Sequence, residues 1–83
     1  MLTVSVVSPE RTLFEGEAES VVAPAFDGEV GILSHHAPML TLLGTGQLRV
    51  RAGGGEQRFA VAGGFLEVAD DRVRVVTERA ETV

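Results

Sequence analysis

The residues able to do chemistry are few, and their spacing argues against most of it. Two histidines stand side by side, His35 and His36. Neighbouring side chains of an extended chain point to opposite faces, so this pair offers a metal ion one ring rather than two. Asp27 and Glu29 lie nearby in sequence and are the acids that would have to complete such a site. No Gly-x-Ser-x-Gly elbow presents a serine nucleophile, so a Ser/His/Asp triad has no scaffold. Asp70-Asp71 reads as turn chemistry rather than as a paired acid and base. Glu78 and Glu81 read as solvated acids near the end of the chain. The glycine clusters lack the Lys-Ser/Thr of a phosphate loop, and no βαβ unit is available to present one. The reading is therefore no catalytic residue, no metal site and no cofactor.

The composition bounds what remains. Eighty-three residues fit one domain, residues 1–83. Hydrophobic residues make up 45% and charged residues 23%, which is globular rather than disordered. Asp and Glu number 12 against 7 Arg, and the formal net charge is −5. An acidic surface repels phosphate backbones and anionic lipid, so no nucleic-acid partner is expected. There is no cysteine and hence no disulfide or thiolate chemistry. No run approaches the ~18 apolar residues of a membrane span, and the start of the chain does not read as a signal peptide. A soluble, cytoplasmic protein without direct membrane insertion is the reading.

The elements that must position any site are strands. Leu2, Val4 and Val6 alternate with Thr3 and Ser5, and Ser8-Pro9-Glu10 breaks the run. Leu13-Phe14 begins a second strand that ends near Gly16. Ser20-Val21-Val22-Ala23 is a third, closed by Pro24. Asp27-Gly28 is a turn signal, and Glu29 to Leu33 follows as a strand in which Gly31 suggests a bulge or a close backbone approach. Residues 34–38 are a polar connection; residues 34–43 come nearest to a helical pattern, but Pro38 limits them to one short helical turn. Gly44-Thr45-Gly46 reads as a turn. Leu48 and Val50 then alternate with Gln47, Arg49 and Arg51, and beyond the Gly53-Gly54-Gly55 hairpin connection Phe59 and Val61 return on the other side. Gly63-Gly64 marks a bend or bulge, and a second hairpin turns at Asp70-Asp71. Many short strands with frequent turns indicate an all-β sandwich or barrel.

Three segments carry a resemblance. They are Val7-Ser8-Pro9-Glu10-Arg11-Thr12-Leu13-Phe14-Glu15-Gly16, then Gly28-Glu29-Val30-Gly31-Ile32-Leu33-Ser34-His35-His36-Ala37-Pro38-Met39-Leu40-Thr41, then Phe59-Ala60-Val61-Ala62-Gly63-Gly64-Phe65-Leu66-Glu67-Val68. In this order and spacing the chain closely resembles the N-terminal domain of the epsilon subunit of F-type ATP synthases, called delta in mitochondria. The resemblance covers nearly the whole chain. It implies a two-sheet β-sandwich of about ten short strands. It also implies a place at the foot of the rotating central stalk, where one side packs on the gamma subunit and the lower end meets the polar loops of the c-ring. Such a domain couples rotation to ATP synthesis and has no active site of its own. Its location would be peripheral, on the cytoplasmic face of the plasma membrane.

Two positions carry over from the family motif toward the c-ring end. Glu29 matches its acid and would pair with a basic group on the loops; the plainer reading is a solvated acid beside a turn. His36 matches its histidine; the plainer reading is a hydrogen bond that fixes the loop. Ala37, Pro38, Met39 and Leu40 would form the adjoining surface. His35 stands where the family favours glycine or another small residue, so the local backbone is expected to differ. The family as a rule continues into a regulatory C-terminal helical hairpin. Residues 79–83 are too short to form one, so that role is not assigned to this chain. A docking role further implies an exposed apolar patch on the order of several hundred Å². The competing readings are a stand-alone small-ligand-binding β-sandwich and, more remotely, a metal-dependent enzyme.

Overall fold

A computed structural model describes all 83 residues, and every regular element in it is a strand. These are β1 (Leu2–Val7), β2 (Thr12–Ala18), β3 (Ser20–Ala25), β4 (Gly28–Leu33), β5 (Met39–Leu42), β6 (Thr45–Ala52), β7 (Gly55–Ala69) and β8 (Arg72–Thr82). Hydrogen bonds join them in the order β2-β1-β8-β7-β6-β3-β4, with β5 on β7. All neighbours are antiparallel except β1 and β8.

The sheet folds over itself because β7 and β8 are long enough to serve two layers. Residues 65–68 of β7 pair with β5, and residues 55–62 pair with β6. Residues 72–76 of β8 pair with β1, and beyond them that edge is free. One layer is thus β2, β1, the first half of β8, the second half of β7, and β5. The other is β4, β3, β6, the first half of β7 and the second half of β8. Counted by layer, the eight strands supply the ten or so short segments the resemblance implies. The molecule measures 27 × 25 × 19 Å, its shortest dimension that of two sheets packed about 10 Å apart with their outer side chains.

The core follows from alternation. Leu2, Val4 and Val6 of β1 point inward, as do Val21 and Ala23, Leu48 and Val50, Phe59 and Val61, Leu66 and Val68, Val73 and Val75. Sixteen buried apolar residues form one cluster. Each buried Val or Leu contributes about 1.5–3 kcal/mol relative to exposure, offset by conformational entropy of similar total size.

The inward set changes phase along β7, from Phe59 and Val61 to Leu66 and Val68. The change falls at Gly63-Gly64, with φ of 73° and 105°. A Cβ on Gly64 would overlap the Val76 carbonyl oxygen and lie 2.7 Å from Thr77 Cα. Only glycine lets β8 approach this closely. The bend anticipated at Gly63-Gly64 is therefore present, and it is a crease shared by three neighbouring chain segments. Gly63 N–H donates to the Gly44 carbonyl at 3.4 Å, and Leu43 N–H to the Gly64 carbonyl at 3.0 Å.

Several local expectations need correction. Residues 44–46 are not a turn: β5 and β6 stay on the same edge of β7 and meet at the crease. Pro24 does not close β3, which runs on to Ala25. Its missing donor costs nothing there, because the facing Gly44 carbonyl is served by Gly63, while Gly44 N–H donates to the Pro24 carbonyl at 2.8 Å. Gly31 makes no bulge; β3 and β4 pair without a register shift, and a Cβ on Gly31 would meet nothing within 4 Å. Residues 34–38 contain no helical turn, only a tight turn closed by His36 N–H on the Leu33 carbonyl at 3.2 Å.

Both hairpins turn where expected, although the first connection is one residue shorter, because Gly55 already pairs with Ala52. Gly53 and Gly54 have φ of 60° and 78°, and Asp70 and Asp71 have φ of 50° and 58°. Two consecutive left-handed residues are the turn that matches strand twist, and aspartate tolerates that conformation better than most side chains.

Candidate docking site

The outer face of the first layer carries an uncharged line across four strands. Leu42 of β5 pairs with Phe65 of β7, Phe65 with Val76 of β8, and Val76 with Val7 of β1. All four alternate with inward residues and so point away from the core. Phe65, Val76 and Val7 are half-buried by their neighbours. Leu40 and Leu42, two places apart on the edge strand, are 69% and 64% exposed. Phe26, in the β3–β4 turn, is 68% exposed and its N–H donates to the Leu42 carbonyl at 3.0 Å. Open depressions on either side, one lined by Leu40, Thr41 and Leu42 and the other by Val7, Pro9 and Val76, meet at Phe65.

The next row on the same face is charged, with Glu67 of β7 between Arg74 of β8 and Leu40 of β5. An apolar centre with a polar border is the anatomy of a protein interface. A partner that covered Phe26, Leu40 and Leu42 would gain about 1–2 kcal/mol from each before the cost of association.

A second surface lies at the end where the chain crosses between layers. Leu2 pairs with Ala18, Glu19 N–H donates to the Arg51 carbonyl at 2.7 Å, and Ser20 pairs with Leu33. Residues 34–38 cross here, beside the Asp70-Asp71 turn. His35 takes the left-handed conformation, φ 67°, and its N–H donates to Asp71 Oδ1 at 2.6 Å. Glycine adopts this conformation without strain, and a residue with a β-carbon disfavours it. His36 Nδ1 stands 2.7 Å from the Ala37 carbonyl oxygen, which can only accept, so Nδ1 donates. This is the loop-fixing bond that was the plainer reading of His36. Ala37 and Pro38 are exposed. Met39 is packed against the core and faces inward, and Leu40 is the outward neighbour.

Glu29 does not join this group. It lies at the other end of β4, about 13 Å from Leu33 at ~3.3 Å per residue. It is solvent-exposed on the outer face of the second layer, and its Oε1 lies 3.5 Å from Arg49 Nη2 across β3. The residues named from the motif thus divide into a loop group, His36, Ala37 and Pro38, an inward Met39, and a distant Glu29. The separation also dismantles the metal constellation of His35, His36, Asp27 and Glu29.

The second layer's outer face holds an electrostatic cluster. Arg49 and Arg58 are directly opposite each other, as are Arg51 and Glu56. Like charges in register repel. Glu56 offsets this, with Oε1 2.8 Å from Arg58 Nε and Oε2 3.5 Å from Arg51 Nη2. The Arg58 hydrogen bond, followed by the Arg58, Arg49 and Arg51 charges, holds the Glu56 carboxyl below its ordinary value of 4.5 despite some desolvation.

Sequence reasoning missed Phe26, Leu42 and Phe65 as surface residues. One signal was available: Met39-Leu40-Thr41-Leu42-Leu43 is apolar at nearly every place, so β5 must present apolar side chains on both faces.

The chain is thus an all-β body whose outer face carries open depressions and an uncharged line bordered by charge. The chain belongs to the ATP synthase delta/epsilon chain β-sandwich domain family, whose model matches residues 1–83. It is 46% identical to the ATP synthase epsilon chain of a Nostoc species over 99% of this chain and 64% of the relative. It is 47% identical to that of Desulforamulus reducens over 94% of this chain and 59% of the relative. The chain thus spans less than two thirds of the length of these curated relatives. Among solved structures it resembles a chain of the Euglena gracilis mitochondrial ATP synthase OSCP/F1/c-ring assembly, with a TM-score of 0.89 and 24% identity, covering 98% of this chain and 52% of that one. It also resembles a chain of the Tetrahymena thermophila mitochondrial ATP synthase central stalk and c-ring, with a TM-score of 0.80 and 17% identity, covering 96% and 65%. These two likenesses bear on the fold.

Proposed function

We propose that this domain is the β-sandwich of a central-stalk subunit of an F-type proton-translocating ATP synthase. It docks on the gamma subunit and on the polar loops of the c-ring, turns with them, and transmits rotation without an active site of its own. Its place is peripheral, on the cytoplasmic face of the membrane that holds the ring. The observation that carries this reading is the apolar line Leu42, Phe65, Val76 and Val7, flanked by the exposed Leu40 and Phe26. A permanent partner favours such a surface, whereas hydrophilic loops favour a polar one. The line is accordingly assigned to gamma, and the crossover end with His36, Ala37 and Pro38 to the c-ring. Glu29, at the other end of β4 and facing Arg49, is left out of both assignments. A rigid two-layer core suits a part that transmits torque.

The test is size-exclusion chromatography of this chain with purified gamma subunit from the same source. A stable one-to-one complex is expected. A folded domain that elutes alone would remove the basis for the stalk assignment.

A further inference from the structure

Asp71 ties three segments of the chain together. Its backbone carbonyl accepts the Thr3 N–H at 2.8 Å, which anchors the start of β1. Its Oδ1 accepts the His35 N–H at 2.6 Å from a residue 36 positions away. Its Oδ2 stands 3.9 Å from His35 Nδ1. The turn itself does not require this carboxylate, because glycine at the second position of an Asp-x turn is the stronger former. What the carboxylate does is hold His35, a residue with a β-carbon at φ 67°, in a conformation that such residues disfavour. A hydrogen bond to an ionised acceptor is roughly twice as strong as a neutral one, which suits it to that task. His35 is followed directly by His36, Ala37 and Pro38, where the chain leaves the second layer for the first.

We propose that Asp71 is a positioning residue for the docking loop: its carboxylate clamps His35 and so presents His36, Ala37 and Pro38 to the partner in a preformed conformation. The proposal rests on the reading that this loop meets the c-ring. A loop ordered in advance loses less freedom on binding, so its release weakens the complex without removing a contact.

Two variants separate the clamp from the turn. Asp71→Gly creates an Asp-Gly turn that preserves the β7–β8 hairpin while leaving the His35 N–H without its acceptor. Asp71→Asn keeps an acceptor oxygen and tolerates the left-handed backbone. Amide exchange and proton chemical shift at His35, measured by NMR on the isolated chain, report the clamp directly. Asp71→Gly is expected to speed His35 exchange at least about tenfold and to move its amide proton upfield, with strand amides unchanged; Asp71→Asn, a neutral acceptor, restores both in part. An unchanged His35 amide in Asp71→Gly overturns the clamp. Affinity for the purified c-ring then tests the positioning role. About a tenfold loss in Asp71→Gly, equivalent to about 1.4 kcal/mol, with partial recovery in Asp71→Asn is expected. Undiminished binding by Asp71→Gly overturns the positioning role alone. A wild-type chain that does not bind the ring overturns the c-ring reading, and the docking half of this proposal with it.

Discussion

Replacing Gly64 by alanine tests the crease on which the two-layer architecture depends. The added methyl group would overlap the Val76 carbonyl oxygen and approach Thr77 Cα to 2.7 Å. Both atoms belong to the backbone of β8, so no side-chain rotation relieves the contact. The residue would also have to hold φ of 105° with a β-carbon, a strain of about 1–3 kcal/mol. Forcing β7 from β8 at this level adds an overpacking cost of about 1–3 kcal/mol. The expected total of about 3–5 kcal/mol is a large part of the ~5–8 kcal/mol stability of a domain this size. The chain has no Trp or Tyr, so urea unfolding is best followed by circular dichroism. Gly31→Ala is the control, since its methyl would meet nothing within 4 Å; a change within about 0.5 kcal/mol is expected there. A loss below about 1 kcal/mol for Gly64→Ala, or an equal loss for Gly31→Ala, would refute the reasoning.

Two further outcomes follow from the charges. Glu29→Lys exchanges an exposed ion pair with Arg49 for a repulsion, which costs under about 1 kcal/mol, so the thermal midpoint should hold; an unfolded variant would contradict the surface placement of Glu29. Glu56 has a folded-state pKa below its ordinary value, so its stabilising contribution is complete above the unfolded value near 4.5 and is lost as pH falls through the lowered folded value. Urea midpoints of Glu56→Gln should therefore lie below wild type at neutral pH and converge with it in acid, and molar salt should shrink the neutral-pH gap; parallel curves at all pH values would contradict the arginine contacts.

Much of the strand pattern was legible because burial on one face writes itself as alternation. Leu2, Val4 and Val6 point inward as the sequence predicts, and both two-residue hairpin turns fall where Gly53-Gly54 and Asp70-Asp71 place them. What stayed hidden depends on partners distant in sequence. Gly63-Gly64 reads locally as a bend or bulge, and only pairing with β5, β6 and β8 reveals that one strand of fifteen residues runs through it. Pro24 reads as a stop, yet β3 continues because the Gly44 carbonyl finds its donor elsewhere. Glu29 and His36 read as neighbours, but an extended strand carries them to opposite ends of β4. The apolar line takes one residue from each of four strands, and register alone assembles it. The motif therefore pointed to the family more readily than to the surface.

The affinity of the Leu42→Asp variant for the gamma subunit, measured by isothermal titration calorimetry beside wild type, tests the central claim most directly. Leu42 is 64% exposed, so the variant should keep its dichroism spectrum and its urea midpoint. The predicted result is at least about a hundredfold loss of affinity, from burying an unpaired carboxylate in the interface beside Phe65. Wild-type affinity in a folded Leu42→Asp domain would show that gamma docks elsewhere and would contradict the account.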